Sequence, residues 1–199
     1  MLAAAYAAFQ SDPLTARRQF KALAAAGDPR AQAAYALMLA TGRAGGTDPT
    51  AAVHWYTKAA EQGHAEACYA LGGIHLDGRG VAADAAVARQ WYVRAADLGD
   101  REAMWALGAT SVEPDEALTW WRRAAARGHV GASTWIGRAL LGQGKVGDGA
   151  EALLEAATAG DEEALTELAR ALPAVRDAAG RGDPAAAWVA AAFDDDPAA

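Results

Sequence analysis

A glycine recurs along this chain at nearly regular intervals, and similar residues surround each copy. The intervals are 36, 36, 29 and 32 residues. Periods of this length are typical of repeat proteins, in which one supersecondary unit stacks on the next. The pattern therefore predicts an array of similar units built around five junction glycines, which are Gly27, Gly63, Gly99, Gly128 and Gly160.

The residues that flank each junction glycine predict a pair of helices. Bulky side chains lie eight and seven positions before it, as in Trp91-Tyr92, and small residues lie four and three positions before it. An alanine follows at the fourth position, a bulky residue at the eighth and a small residue at the ninth. Each set falls on one face of a helix. A glycine with positive φ can end the first helix, and an aspartate one position later, such as Asp100, can cap the second. Stacking such helix–turn–helix units would bury their apolar faces in one continuous core.

One stretch carries many of these features together. It contains Ala67, Leu71-Gly72, Gly78-Arg79-Gly80-Val81, Asp84, Ala88, Trp91-Tyr92, Ala95-Ala96 and Gly99. This stretch resembles the Sel1-like repeat family, a variant of the tetratricopeptide class with slightly longer units. The resemblance covers about residues 1–193 and implies an all-α fold, a right-handed α-α superhelix or solenoid of about 12 helices.

The two ends of the chain match the repeat less well. We predict a single solenoid over residues 1–193, with degenerate units at 1–27 and 173–193. The last unit would begin at Pro173 and act as a cap, because the terminal units of solenoids must face water. Residues 194–199 begin with three aspartates and are expected to form an acidic tail.

Composition and charge narrow the function classes. The formal net charge of −7 argues against nucleic acid as the partner, because phosphate binding needs a basic surface, and it favours a basic protein or peptide. No apolar run approaches the roughly 18 residues of a membrane span, so no membrane partner is expected. The single cysteine, Cys68, excludes an internal disulfide framework, and Met1–Phe9 lacks the basic start of a secretion signal. We expect a cytoplasmic protein, or a periplasmic one if a signal peptide was removed before residue 1.

We predict no catalytic site, no cofactor and no metal, so the chain is not expected to be an enzyme. The loop Gly78-Arg79-Gly80 superficially resembles a dinucleotide-binding loop, but it follows a predicted helix instead of a strand. His64 and Cys68 are four residues apart on one helical face and could share a soft metal ion. His64 also occupies a capping position, however, and Cys68 has the character of a small buried residue.

The resemblance to tetratricopeptide-like arrays implies that the helix after each junction glycine lines the concave face. Because positions 4, 8 and 9 after the glycine belong to the core, positions near 3, 6, 10 and 13 should face the groove. Tyr69 and Trp105 would be neighbouring aromatic anchors there, or alternatively would pack within the array. Glutamates would edge this half, and arginines would make the later half basic. The predicted partner-binding residues are Leu37, Glu66, Tyr69, Leu76, Glu102, Trp105, Thr134, Arg138 and Arg170.

The same resemblance implies a protein- or peptide-binding adaptor or scaffold that uses the concave face of the solenoid. Members of the family act in bacterial signalling, secretion and virulence. A narrower alternative is an immunity or chaperone-like protein that sequesters one cognate partner. Two further alternatives are a metal-dependent enzyme with its metal at His64 and Cys68, and a structural protein that self-associates along the solenoid.

Overall fold

The computed structural model describes residues 1–194, and this part of the chain contains twelve α-helices and no β-strand. The all-α class and the number of helices predicted from the sequence are confirmed. None of the described helices is both long enough and apolar enough to cross a membrane. The helices are α1 (Leu2–Ser11), α2 (Pro13–Ala25), α3 (Pro29–Thr41), α4 (Pro49–Glu61), α5 (Ala65–Asp77), α6 (Ala85–Asp97), α7 (Arg101–Thr110), α8 (Pro114–Ala126), α9 (Ala132–Gly142), α10 (Val146–Thr158), α11 (Glu162–Gly180) and α12 (Pro184–Asp194).

The junction glycines end one helix and turn the chain into the next. All five have φ between 75° and 96°, a left-handed conformation that residues with a Cβ rarely adopt. The residue after each glycine donates its backbone N–H to a carbonyl five residues earlier, for example Asp28 N to Leu23 O at 3.2 Å. This bond is the signature of a Schellman motif. The predicted role of the glycines is therefore confirmed.

An aspartate directly after the glycine caps the helix that follows. A carboxylate oxygen of Asp28 accepts the backbone N–H groups of Arg30 and Ala31, at 2.9 and 3.0 Å. Asp161 caps α11 in the same way. These bonds satisfy N–H groups that a helix start leaves without a partner, so the sequence itself sets where these helices begin.

The two histidines that follow a junction glycine behave differently from each other. His64 caps α5 with its imidazole, since Nδ1 accepts the N–H of Ala67 at 3.3 Å. His129 does not cap α9, because this helix begins three residues later, at Ala132, after Gly131. His64 therefore caps the helix that follows it, as its position predicted, whereas His129 has no capping role.

The chain divides into two compact units, residues 1–104 and the residues from Trp105 onward, with the boundary inside α7. In the first unit the helices pack in chain order, from α1 on α2 to α5 on α6. In the second unit α8 packs on α9, α9 on α10 and α10 on α11, and α12 packs on both α10 and α11. Within each unit these helices thus pack mainly on their neighbours in sequence, as helix–turn–helix repeats require.

A small residue nine positions after the junction makes room for a bulky ring. A Cβ on Gly72 would overlap the ring of Tyr92, and a Cβ on Gly108 would overlap the indole of Trp121. Tyr92 and Trp121 each belong to the bulky pair before the next junction. The small and bulky positions of the repeat are therefore two halves of one packing contact.

The long helix α11 runs through a proline. We expected a terminal unit to begin at Pro173, but the helix continues through this residue to Gly180. A proline inside a helix costs about 3 kcal/mol, because it lacks an N–H and its ring crowds the preceding turn. Leu168 and Val175, on the two sides of Pro173, are both 0% exposed in the core of the second unit. Burial of this apolar face keeps the helix continuous.

The predicted acidic tail overlaps the end of the structure. Asp194 is the last residue of α12, and residues 195–199 lie outside the described part of the chain. The division into one solenoid over residues 1–193 with degenerate ends stays a prediction.

Candidate functional site

A cleft opens in the first unit among residues of α1, α3, α4 and α5. Its volume is about 370 Å³, which falls within the range of about 300–1,000 Å³ typical of ligand pockets. The space exists because α3 contributes the small side chains of Ala33 and Ala34, while its neighbours contribute larger ones. We call this cavity the α3 cleft and define it by Tyr6 and Phe9 of α1, Ala33 and Leu37 of α3, and Glu66 and Tyr69 of α5.

Aromatic packing holds the α1 side of the cleft. The rings of Tyr6 and Phe9 lie edge-on to the ring of Phe20, with centroid distances of 5.0 and 6.2 Å. The guanidinium of Arg43 lies 4.3 Å from the centre of the Phe9 ring, and its Nη2 donates to the Phe9 carbonyl at 2.8 Å. These contacts fix the two side chains without a ligand.

The packing of the repeat positions the other aromatic residues of the cleft. The half-buried ring of Tyr69 lies 5.7 Å from the ring of Tyr92, which occupies the space left by Gly72. Tyr56 reaches the cleft from α4 and is 6% exposed. The contact of Gly72 with Tyr92 packs α5 on α6, and through Tyr69 it also sets the shape of the cleft.

The three tyrosines of the cleft remain protonated at neutral pH. Burial raises the pKa of Tyr56 to about 12. Burial also raises the pKa of Tyr6, and the carboxylate of Glu66 adds to the effect. The pKa of Tyr69 is raised in the same way, by burial first and by nearby carboxylates second. These hydroxyls are therefore neutral groups that can donate or accept hydrogen bonds.

One carboxylate, that of Glu66, lines the α5 side of the cleft, and those of Asp100 and Glu102 act on Tyr69 from outside the lining. Glu66 and Glu102 belong to the first turns of α5 and α7, where the helix dipole favours negative charge. Burial raises the pKa of Asp100, and repulsion from Glu102 and Glu66 adds to this, although the N–H of Ala103 opposes it by donating to the carboxylate at 2.8 Å. Glu66 and Asp100 therefore place negative charge near this side of the cleft, while Glu102 is paired with Arg101, whose Nε lies 3.4 Å from Glu102 Oε1.

This negative charge is local and does not reflect an excess in the first unit. Residues 1–104 contain ten basic and ten acidic side chains, so the formal net charge of −7 comes from the rest of the sequence. The overall charge therefore says little about what the α3 cleft binds. The positions of individual carboxylates decide which class of ligand the cleft favours.

Three of the predicted partner-binding residues, Leu37, Glu66 and Tyr69, line the α3 cleft together. Leu76 lies about two turns beyond Tyr69 on α5 and is 41% exposed, but it does not line the cleft. Glu102 acts on Tyr69 through its charge and also lies outside the lining. The binding role of all five residues stays a prediction.

Sequence reasoning missed the aromatic residues that complete the cleft. Tyr6 corresponds to the buried bulky position of the repeat, yet it is 48% exposed and borders the cavity. Tyr56 belongs to a bulky pair that was assigned to the core, and it does pack there while also reaching the cleft. The available signal was the tyrosine itself, since a phenolic hydroxyl at a core position needs a polar or open neighbourhood.

In the second unit, Trp105 takes part in an aromatic cluster. Its ring is parallel to that of His129, 5.7 Å between centroids, and edge-on to Trp135 at 6.2 Å. The indole N–H of Trp121 donates to the carbonyl of Trp105 at 3.3 Å. Trp105 thus packs within its unit, and its role in partner binding stays a prediction. The expected adjacency of Trp105 and Tyr69 stays a prediction.

Thr134 does not face a groove. Its side chain is buried, with 1% of the residue exposed, and its hydroxyl donates to Asp161 Oδ2 at 2.6 Å. The periodicity predicted that Thr134 faces the groove. Its hydroxyl points inward instead, because it donates to Asp161, the aspartate that caps α11. We therefore correct this prediction and assign Thr134 a structural role.

The two arginines of the second unit that were predicted to bind a partner, Arg138 and Arg170, lie in ion pairs. Arg138 Nη2 lies 2.7 Å from Glu163 Oε1 and 3.0 Å from Glu167 Oε1. Arg170 Nη1 lies 3.2 Å from the same oxygen of Glu167. Because these carboxylates compensate the guanidinium charges, the basic surface expected here is not formed.

The pair His64 and Cys68 does not have the form of a metal site. Nδ1 of His64 is engaged in capping α5, and Cys68 is 0% exposed. Burial raises the pKa of the Cys68 thiol, which disfavours the thiolate that binds metals. Within residues 1–194, no three His, Cys, Asp or Glu side chains are grouped so that they could hold a metal ion.

Comparison with known proteins places the repeats in a family. Residues 29–64, 65–100 and 102–129 match the model of the Sel1 repeat. The chain is 31% identical to the Sel1 repeat protein from Oxalobacter formigenes, with a TM-score of 0.70 over 80% of this chain and 49% of that one. It is 28% identical to c5321, a protective antigen of uropathogenic Escherichia coli strains with an SLR fold, with a TM-score of 0.71 over 84% of this chain and 41% of that one. No curated protein was found to match.

The chain thus spans about half of the length of these solved relatives, or less. Both relatives have the repeat fold that the sequence predicted, so the solenoid of helix–turn–helix units is confirmed. Proteins with such repeats generally act as protein-interaction scaffolds. The three matched repeats and the related structures agree, and the chain belongs to the Sel1 repeat family.

Proposed function

We propose that this chain is a non-catalytic scaffold that binds a segment of another protein in the α3 cleft. The observation that supports this most is the meeting of Leu37, Glu66 and Tyr69, three residues selected by sequence periodicity, on one cavity of about 370 Å³. Members of the family generally bind other proteins, which favours a protein segment as the ligand.

The cleft offers apolar surface that a partner could cover. Leu37 is 44% exposed and Tyr6 is 48% exposed, although both are large hydrophobic residues. Full burial of such a side chain stabilises a complex by about 1.5–3 kcal/mol, so covering the exposed part of each contributes a fraction of that. Aromatic residues in partly desolvated pockets are also frequent hot spots of protein interfaces.

The cleft is preformed, which favours binding. Phe20 and Arg43 fix the α1 side, and Tyr92 fixes Tyr69. Side chains that are already ordered lose less conformational entropy when a partner binds. Each side chain that need not be immobilised avoids an entropic cost of about 0.5–1.5 kcal/mol. A rigid cleft of this kind suits recognition of a flexible segment.

The titratable groups near the cleft favour binding over catalysis. A catalytic nucleophile needs a lowered pKa or an adjacent base. The pKa of Tyr6, Tyr56 and Tyr69 is raised, and so is that of the buried thiol of Cys68. These groups remain protonated at neutral pH, which suits hydrogen bonding to a ligand.

A peptide probe tests the proposal. Short peptides selected from a displayed random library on the full chain are measured by calorimetry against the substitution Leu37→Asp. We expect this change to weaken binding at least about tenfold, equivalent to about 1.4 kcal/mol, because it puts a charge on the apolar surface that the peptide covers.

The matched control is Leu165→Asp in the second unit. Leu165 is 50% exposed on α11, so the same substitution adds the same charge at a similar exposure. The control should bind the peptide as well as the unmodified chain does. If Leu37→Asp also binds with unchanged affinity, the α3 cleft is not the binding site.

A further inference from the structure

The α3 cleft combines aromatic rings with a carboxylate that has no ion-pair partner. Tyr6, Tyr56 and Tyr69 come from three different helices, and Glu66 stands among them on the first turn of α5. Within residues 1–194, Glu66 takes part in no ion pair. We infer that the bound segment inserts a basic side chain, preferably arginine, which pairs with Glu66 beside these rings. The inference rests on the proposed function of the cleft.

The rings give a cation a favourable environment. A cation near the face of an aromatic ring is attracted by the ring quadrupole, and the attraction is stronger when the contact is shielded from water. Arginine suits the site better than lysine, because its planar guanidinium can stack on a ring and bind a carboxylate through two N–H groups. The chain shows such a contact next to the cleft, where Arg43 lies 4.3 Å from the centre of the Phe9 ring.

The charge of Glu66 discriminates between classes of occupant. A neutral segment that covered Glu66 would remove its water without replacing the lost interactions, and taking an unpaired charge out of water opposes binding. An acidic segment would add repulsion to this cost. A basic side chain compensates the carboxylate, so it is the class of occupant that fits both the rings and the charge.

The two arginines that act on tyrosines of the cleft, Arg30 and Arg79, do not cancel this effect. Arg30 acts on Tyr6 in the opposite sense to Glu66, but Glu66 has the larger influence on the pKa of this tyrosine. Arg79 lowers the pKa of Tyr56 more than Glu66 raises it, yet its guanidinium is paired with Asp77 at 3.1 Å. Asp100 adds negative charge near Tyr69, whereas the charge of Glu102 is compensated by Arg101, whose Nε lies 3.4 Å from Glu102 Oε1. The α5 side of the cleft therefore favours a cation.

The inference is tested with the peptides selected on the full chain. We expect these peptides to share an arginine or lysine, and we replace it by citrulline, a neutral analogue of arginine. The replacement should weaken binding to the unmodified chain about tenfold, because it removes both the ion pair and the cation–ring contact. On the variant Glu66→Gln the same replacement should have a smaller effect, about two- to fivefold, because the ion pair is already absent and only the cation–ring contact is lost.

The control variant is Glu151→Gln, which removes an exposed carboxylate of α10 in the second unit. It changes the net charge by the same amount as Glu66→Gln, so it should retain the roughly tenfold effect of citrulline. Unfolding curves of both variants should match that of the unmodified chain, because both glutamates are exposed.

The outcomes separate this inference from the proposed function. If Leu37→Asp weakens binding but citrulline does not, the cleft binds peptides and the basic occupant is wrong. An equal citrulline effect on the unmodified chain and on Glu66→Gln would also overturn the pairing with Glu66. If Leu37→Asp has no effect, or the library yields no binding peptide, the proposed function fails and the inference fails with it.

Discussion

At the scale of single residues, the need for glycine at position 72 comes from a neighbouring ring. Gly72 lies inside α5, and a Cβ there would overlap the ring of Tyr92. Tyr92 in turn packs on Tyr69, which lines the α3 cleft. The lack of a side chain at Gly72 therefore allows α5 to pack closely on α6, and it also helps to set the shape of the cleft.

The substitution Gly72→Ala should destabilise the protein by about 1–3 kcal/mol, the usual effect of overpacking a core. It should also weaken peptide binding, because Tyr92 cannot move without disturbing Tyr69. The control is Gly180→Ala at the end of α11, where an added Cβ meets nothing within 4 Å. Urea unfolding should show no loss of stability for the control. Equal stability of the two variants would show that the ring does not require a glycine.

The hydrogen bond between Thr134 and Asp161 should make the stability of the protein depend on pH. The Thr134 hydroxyl is the main cause that holds the pKa of Asp161 below its usual value, and the capping N–H groups of α11 add to it. Because the folded pKa is lower than the unfolded one, this contribution is complete above about pH 4 and is lost as the pH falls through the folded pKa.

The substitution Thr134→Val should therefore reduce stability at neutral pH by about 1 kcal/mol, the usual net value of a hydrogen bond. The difference from the unmodified chain should narrow as the pH falls below about 4. Thr166→Val is the control, since Thr166 is exposed and its hydroxyl donates within its own helix to the carbonyl of Glu162. A difference for Thr134→Val that stays constant across this range of pH would contradict the role of Asp161.

At the scale of helices, boundaries could be predicted where local chemistry sets them. Asp28 and Asp161 cap the helices that follow them, and these are features of a few adjacent residues. The sequence failed where contacts distant in the chain decide. His129 stacks on Trp105, and α9 begins at Ala132 instead of directly after His129. Helix α11 continues through Pro173 because its apolar face is buried both before and after this residue. Neither contact leaves a local signal.

Pro173→Ala should stabilise the protein by about 1–3 kcal/mol, because alanine restores an N–H and removes the steric conflict of an exposed proline inside α11. Pro184→Ala is the control, since Pro184 is the first residue of α12, where a proline is tolerated. Thermal unfolding should show a higher midpoint for the first variant and a change of at most a few degrees for the second. A lower midpoint for Pro173→Ala would mean that the proline is needed for the packing of α11.

At the scale of the whole molecule, the repeat class and one side of the candidate site could be predicted from the sequence. Periodicity selected Leu37, Glu66 and Tyr69, because these positions recur on the helix that follows each junction glycine. It could not show that Tyr6 and Tyr56 border the same cavity, since this depends on how α1 and α4 pack around α3. The net charge of the whole chain was also a poor guide to what the cleft binds, because it does not reflect the charge of the first unit.

The central claim is that a partner segment binds in the α3 cleft. Its most direct test is an amide NMR titration of the full labelled chain with a selected peptide. The largest shift changes should fall on the amides of Ala33, Leu37 and Tyr69, and they should saturate at the affinity measured by calorimetry. Largest changes in the second unit instead, for example around Trp188, which is 57% exposed, with α3 unaffected, would contradict the account.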